Sequence, residues 1–179
     1  MRPFIYAAML FALMLSSATV WANPSKDECD SLLQVGARAI IKEKDYPTGV
    51  RLMRDVLSAA RRSNRYEQQF LALNCMGIAY QMNYDYGEAL DYFVKARAIA
   101  GQHLRQPEVK SVLNNIAILY TKEKNYAKAR EYFLEAYQLA GQSGDSLRLG
   151  MYAVNLGQMN NQLGRVAESQ RYCAIARPL

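Results

Sequence analysis

Histidine is almost missing from this chain: His103 is the only one in 179 residues, and the three cysteines, Cys29, Cys75 and Cys173, are scattered rather than spaced as ligand pairs. A zinc site needs several such ligands grouped together, so none is expected. No G-x-S-x-G, H-E-x-x-H or Gly-rich phosphate loop occurs. The one close acidic group, Asp27, Glu28 and Asp30, stands where a helix begins, and carboxylates there are favoured by the helix dipole. The sequence therefore offers no catalytic residue, metal site or cofactor site, and the chain is read as a non-enzyme.

Long apolar runs are equally scarce. One runs from Phe4 to Leu15 behind Arg2 and leads into Ser16-Ser17-Ala18-Thr19 and Val20-Trp21-Ala22. A basic start, an apolar stretch and small residues at a cleavage position are the layout of a secretory signal peptide over residues 1–22. The alternative is an uncleaved anchor, since Phe4 to Ala22 nearly spans a bilayer. Either way Arg2 places the rest outside the cytoplasm, and a periplasmic or secreted bacterial protein is expected, with no stable membrane span after cleavage. Three cysteines in an oxidising compartment leave an odd thiol. Cys29 and Cys75 fall on neighbouring helices about six residues out of register. At an 8–10 Å helix spacing that is a Cα separation of roughly 12–13 Å, too far for a bridge.

The net charge is +6 and loses only Arg2 on processing. The excess is diffuse, densest at Arg61-Arg62-Ser63-Asn64-Arg65. No aromatic residues interleave with these arginines, so a nucleic-acid platform is not expected. They read as a solvated helix end, or as contact for an acidic partner or anionic lipid.

What the chain has in abundance is self-similarity at a spacing of 40 residues. A small residue recurs at Ala37, Gly77, Ala117 and Gly157, and leucine at Leu33, Leu73 and Leu113. Tyr80 and Tyr120, Ala89 and Ala129, Phe93 and Phe133, then Ala96, Ala136 and Ala176 continue the columns. Turn residues fall between them at 44–46, 84–86, 124–126 and 164–166. Such a period marks a solenoid whose units cannot bury their apolar faces alone. The units are placed at about 30–69, 70–109, 110–149 and 150–179, in a single domain over 23–179.

Each unit reads as two amphipathic helices. Leu73, Met76, Gly77 and Tyr80 keep i, i+3, i+4, i+7 spacing, as do Leu113, Ile116, Ala117 and Tyr120. Ser25 and Glu28 form a capping box, Pro47 and Pro107 sit in first turns, and Gly101 and Gly141 are expected helix stops. Pro178 is expected to end the last helix. In the Phe93 and Phe133 column, Cys173 is expected to be a small buried residue.

These columns resemble the tetratricopeptide repeat, over about residues 26–177. The fit is strongest in the second and third units. Ile40, Gly49 and Met53 stand in for Tyr, Ala and Phe in the first, and Asn160, Ser169 and Cys173 in the fourth. The 40-residue period is similar to the longer-helix variety of kinesin light chains and bacterial quorum-sensing peptide receptors. The resemblance implies an all-α fold, a right-handed α-solenoid of about four helix-turn-helix repeats. It also implies that the first helices line a concave face. On that face it places Gln34, Arg38, Asn74, Ile78, Asn114, Ile118 and Gln158, as ligand-binding candidates. Leu113-Asn114-Asn115 matches an "LNN" motif by which family members grip peptide backbones. An amide donates and accepts at once, which suits that task. Asn115 and Asn155 are alternatively expected to bond across neighbouring helices. Four units about 10 Å apart give roughly 30–40 Å of surface, room for eight to ten extended residues. The expected function is an exported adaptor that binds a protein or peptide segment in its groove. The alternatives are a structural subunit of an envelope assembly, docking through the last repeat, and an extracytoplasmic sensor fragment of a signalling protein.

Overall fold

The structure, a computed structural model, describes residues 24–176, so the signal-peptide reading and the stop at Pro178 lie outside the described residues. Eight α-helices follow in order: α1 Lys26–Arg38, α2 Tyr46–Arg62, α3 Tyr66–Met82, α4 Tyr86–His103, α5 Gln106–Lys122, α6 Tyr126–Gln142, α7 Ser146–Gln162 and α8 Val166–Ala176. Each helix packs on the next in the chain. Beyond that, the backbones of α1 and α3 and of α3 and α5 come close, whereas second helices meet only through side chains, among them Arg97 of α4 with Glu135 of α6 at 2.7 Å and Arg130 of α6 with Glu168 of α8 at 3.2 Å. Over α1, α3 and α5 the layer of first helices is therefore the more closely spaced, which is the inside of a curved array. A chain built only from neighbour contacts is an α-solenoid, stabilised by a sum of unit and interface contributions.

The periodic columns form the core. Ala89, Phe93, Ala96 and Ala100 of α4 are buried, and so are Ala129, Phe133, Ala136 and Ala140 of α6. Tyr80 stacks on Tyr92 and Tyr120 on Tyr132, tying each first helix to its own second helix. Starts are capped by chemistry visible in the sequence. Ser25 and Glu28 exchange the two bonds of a capping box, and Pro47 and Pro107 occupy first turns. Asp45, Asp85 and Asn125 cap α2, α4 and α6 by accepting from the backbone N–H three residues on, which satisfies donors that the helix itself leaves free.

The first unit carries one residue more than its columns suggest. Ala39–Glu43 form a π-helical turn. Asp45 N–H reaches back to the carbonyl of Ala39, six residues away, where Asp85 reaches Tyr80 and Asn125 reaches Tyr120, each five away. A π-turn is how a helix absorbs a single insertion. The close contact with the second helix is consequently made by Gly36, not Ala37: a Cβ on Gly36 would lie 2.4 Å from Met53 Cε. Gly77 has the matching role, where a Cβ would meet the Phe93 ring at 2.5 Å.

Other expectations need correcting. Gly101 and Gly141 lie inside the last turns of α4 and α6, and Leu104 and Ser143 are the C-caps. Glycine inside a helix costs only about 1 kcal/mol relative to alanine, so both helices run on past it. Cys173 is exposed, because among the described residues α8 has helices on one side only and buries no residue fully. The Arg61–Arg65 cluster divides: Arg61 and Arg62 are exposed, but Arg65 is half-buried and donates to the Pro24 carbonyl at 2.7 Å and to Cys29 Sγ at 3.3 Å. All three cysteines are free thiols.

Candidate functional site

The inner face is built from residues next to the buried stripe of each first helix. Asn74 and Asn114 are half-buried there, with Ile78 and Ile118 one turn further along. The two asparagines are not equivalent. Asn115 Nδ2 donates to Asn74 Oδ1 at 2.9 Å, joining α5 to α3. One period on, Asn114 and Asn155 occupy the same two positions, and neither has a hydrogen-bond partner among the described residues. The Asn74–Asn115 bond is the cross-helix alternative foreseen for Asn115, and it uses one lone pair of the Asn74 carbonyl. Asn114 and Asn155 keep their whole donor and acceptor capacity.

Gln34 and Arg38 are exposed on α1. The inserted residue turns this helix, so Ala37, with Ile40 and Ile41, stands beside Ile78 and Cys75 in a small apolar pocket, and Arg38 does not. Ile118 and Gln158 do come together. With Thr121, Asn155 and Met159 they line a pocket of about 360 Å³ between α5 and α7. Exposed apolar side chains continue this face: Leu71 on α3, and Leu147, Met151 and Val154 on α7. The last three follow i, i+4, i+7 spacing and leave 70%, 52% and 54% of their surface in water, a continuous stripe rather than scattered exposure.

Electrostatics at the other end of α5 and α7 is structural. Lys110 is 2% exposed, and its Nζ donates to Ser143 Oγ and Asp145 Oδ2, both at 2.9 Å. Those bonds, with Arg148 beside it, hold the Asp145 carboxyl down at about 2. Tyr152 Oη donates to the Lys110 carbonyl at 3.3 Å. Asn160, fully buried, accepts from Arg130 Nε and donates to the Leu156 carbonyl. Burial pushes the Cys75 thiol up to about 11. Sequence reasoning passed over Lys110, although a lysine in the column of Phe70 and Gly150 was a visible irregularity. Among the described residues no group of His, Cys, Asp and Glu is placed to hold a metal ion, and no helix is long and apolar enough to cross a membrane.

A curved stack of helix pairs with an open inner face defines a class of repeat protein, the α-solenoid. Family models for the tetratricopeptide repeat match residues 71–104 and 108–173, together more than half of the chain, and the chain belongs to that family. No curated protein matches it. Among solved structures it is similar to aspartyl phosphate phosphatase F from Bacillus subtilis, with a TM-score of 0.79 and 14% identity over 85% of this chain and 40% of that one. BtubC (BKLC) from P. vanneervenii gives 0.73 and 17% over 99% and 73%. A signal-transduction ATPase with numerous domains and a tetratricopeptide repeat sensor, from Pyrococcus horikoshii, gives 0.74 and 18% over 83% and 23%. The chain thus spans less than half the length of the first and third of these proteins. At such identities the likeness is one of fold.

Proposed function

We propose that the protein is an exported adaptor that holds a segment of another protein in the groove of its first helices. The observation that carries this is the α7 stripe of Leu147, Met151 and Val154, lying beside the unpaired amides Asn114 and Asn155. Apolar surface left in water gains roughly 25 cal/mol per Å² when covered, and free amides beside it match the backbone of an extended chain. Catalysis is not part of this reading, since the inner face groups no acid, base and nucleophile. The test is a photo-cross-linking amino acid placed at Met151, and at Val94 on the outer layer as control, in the source cell. A discrete adduct at Met151 and none at Val94 is the expected result; equal labelling at both positions contradicts the groove.

Export rests on the sequence of residues 1–22 and is tested by the intact mass of the protein in the envelope fraction, expected to start at Asn23. A chain retaining Met1 in the cytoplasm contradicts it. The subunit reading has one observation in its favour: Val166, Cys173 and Ile175 are exposed on α8. Adduct formation at Ile175 in place of Met151 is the outcome that selects it.

A further inference from the structure

The rim where first helices turn into second helices holds a second candidate contact. Lys44, Tyr46, Tyr84, Tyr86 and Lys122, with Gln81 and Met82 beneath, line a pocket of about 460 Å³ spanning three units. Two observations set it apart from an ordinary surface hollow. The turn is left-handed in every unit, at Lys44, Tyr84 and Lys124 with φ 57°, 64° and 60° and at Gly164 with φ 73°, and Tyr84 is the one aromatic residue in that column. Glycine is the residue this turn accepts without strain, and any side chain there destabilises the fold. A bulky one is the least expected of all. Tyr84 nevertheless leaves 81% of its surface in water, with only the edge contact to Tyr86, 6.4 Å between ring centres, to show for it. Strain kept without any gain in packing points to use by something else.

The second observation is charge. Lys44 and Lys122 are exposed and form no ion pair among the described residues. The turn acids Asp45 and Asp85 are both occupied in capping, of α2 through the Thr48 N–H and of α4 through the Glu88 N–H. Two uncompensated ammonium groups facing one hollow, walled by tyrosine rings, fit an anion attached to a flat or apolar group.

We propose that this rim binds an acidic residue followed by an aromatic one in the partner segment. The carboxylate lies between the ammonium groups of Lys44 and Lys122, and the ring lies against Tyr84 and Tyr86. The inference rests on the groove reading above and adds to it a chemical class of partner, an extended acidic–aromatic peptide. Binding there is screened by salt, because both lysines are exposed.

The experiment uses the full mature chain and pools of N-acetylated, C-amidated nonapeptides, random except for a fixed central Glu-Phe, Gln-Phe or Glu-Ala pair. Fluorescence anisotropy is expected to show the Glu-Phe pool binding at least fivefold tighter than the other two. Lys44→Met with Lys122→Met abolishes the preference over Gln-Phe. Tyr84→Gly is expected to raise the melting temperature while weakening Glu-Phe binding at least threefold, a pair of opposite signs that loss of folding cannot produce. Equal binding of all pools, binding of none, or an unchanged preference in the lysine variant overturns the rim site. Cross-linking at Met151 decides the groove independently, so either reading can fail without the other.

Discussion

The α3–α5 junction and the α5–α7 junction present the same pair of asparagine positions and use them differently. At the first, Asn74 and Asn115 are bonded to one another at 2.9 Å. At the second, Asn114 and Asn155 are left unbonded, and the helices are joined near their starts by the buried Lys110–Asp145 pair and the Tyr152 hydroxyl. An amide ladder in this fold is thus either structure or surface, depending on whether another contact has already fixed the junction. The same contrast explains why the apolar stripe of α7 and the free amides occur together. Where the helices are held elsewhere, the inner face has no structural task.

Removing the contact that fixes the second junction should disturb this contrast most. Asp145→Asn leaves the Lys110 ammonium buried without its counter-charge. Thermal unfolding is expected to show a larger fall in Tm than for Gly77→Ala, Gly36→Ala or Asn115→Ala, since an uncompensated buried charge is strongly destabilising. The pH dependence has a definite sign. The carboxyl of Asp145 is held at about 2 against an ordinary 3.8, so its contribution is whole above 3.8 and is lost as pH falls toward 2. Wild-type Tm is expected to fall more steeply across that window than the Tm of Asp145→Asn.

A smaller effect separates the first two units. Gly77→Ala drives a Cβ into the Phe93 ring and is expected to cost about 1–3 kcal/mol in denaturant unfolding. Gly36→Ala meets the far end of Met53, a flexible side chain that can move aside, and should cost less than about 1 kcal/mol. Equal losses would mean that the π-turn does not set the register of α1. The amides themselves come next. Asn115→Ala is expected to destabilise by about 1 kcal/mol, the usual worth of one hydrogen bond, and Asn155→Ala to leave stability unchanged. The smallest perturbation is chemical labelling: a maleimide is expected to modify exposed Cys173 first and Cys75 slowly, because burial keeps the latter a thiol far above neutral pH. Faster labelling of Cys75 would show that the groove floor opens.

Much of this architecture is legible in the residues. Phe93, Phe133 and the alanines around them recur because each second helix must meet its first helix at one fixed distance, and that requirement leaves a 40-residue imprint. The first unit misleads for a physical reason. Columns aligned on the turn at Asp45 and Asp85 remain in step downstream, while the extra residue in Ala39–Glu43 shifts everything upstream by one. Gly36 thereby replaces Ala37, and Arg38 is carried away from Ile78. Whether Asn74 pairs with Asn115 depends on the distance between two helices, which no spacing along one of them reveals. The strain at Tyr84 is a backbone angle, hinted at only by the glycine that fills its column at Gly164.

If the α5–α7 half of the inner face is the free half, its amides must respond to a bound segment. Side-chain amide NMR of the protein, before and after adding the segment recovered by cross-linking at Met151, reads this without an intermediary. The Asn114 and Asn155 resonances are expected to move on binding while those of Asn115 stay in place. Movement of Asn115 with Asn114 and Asn155 unchanged would contradict the assignment of the free half.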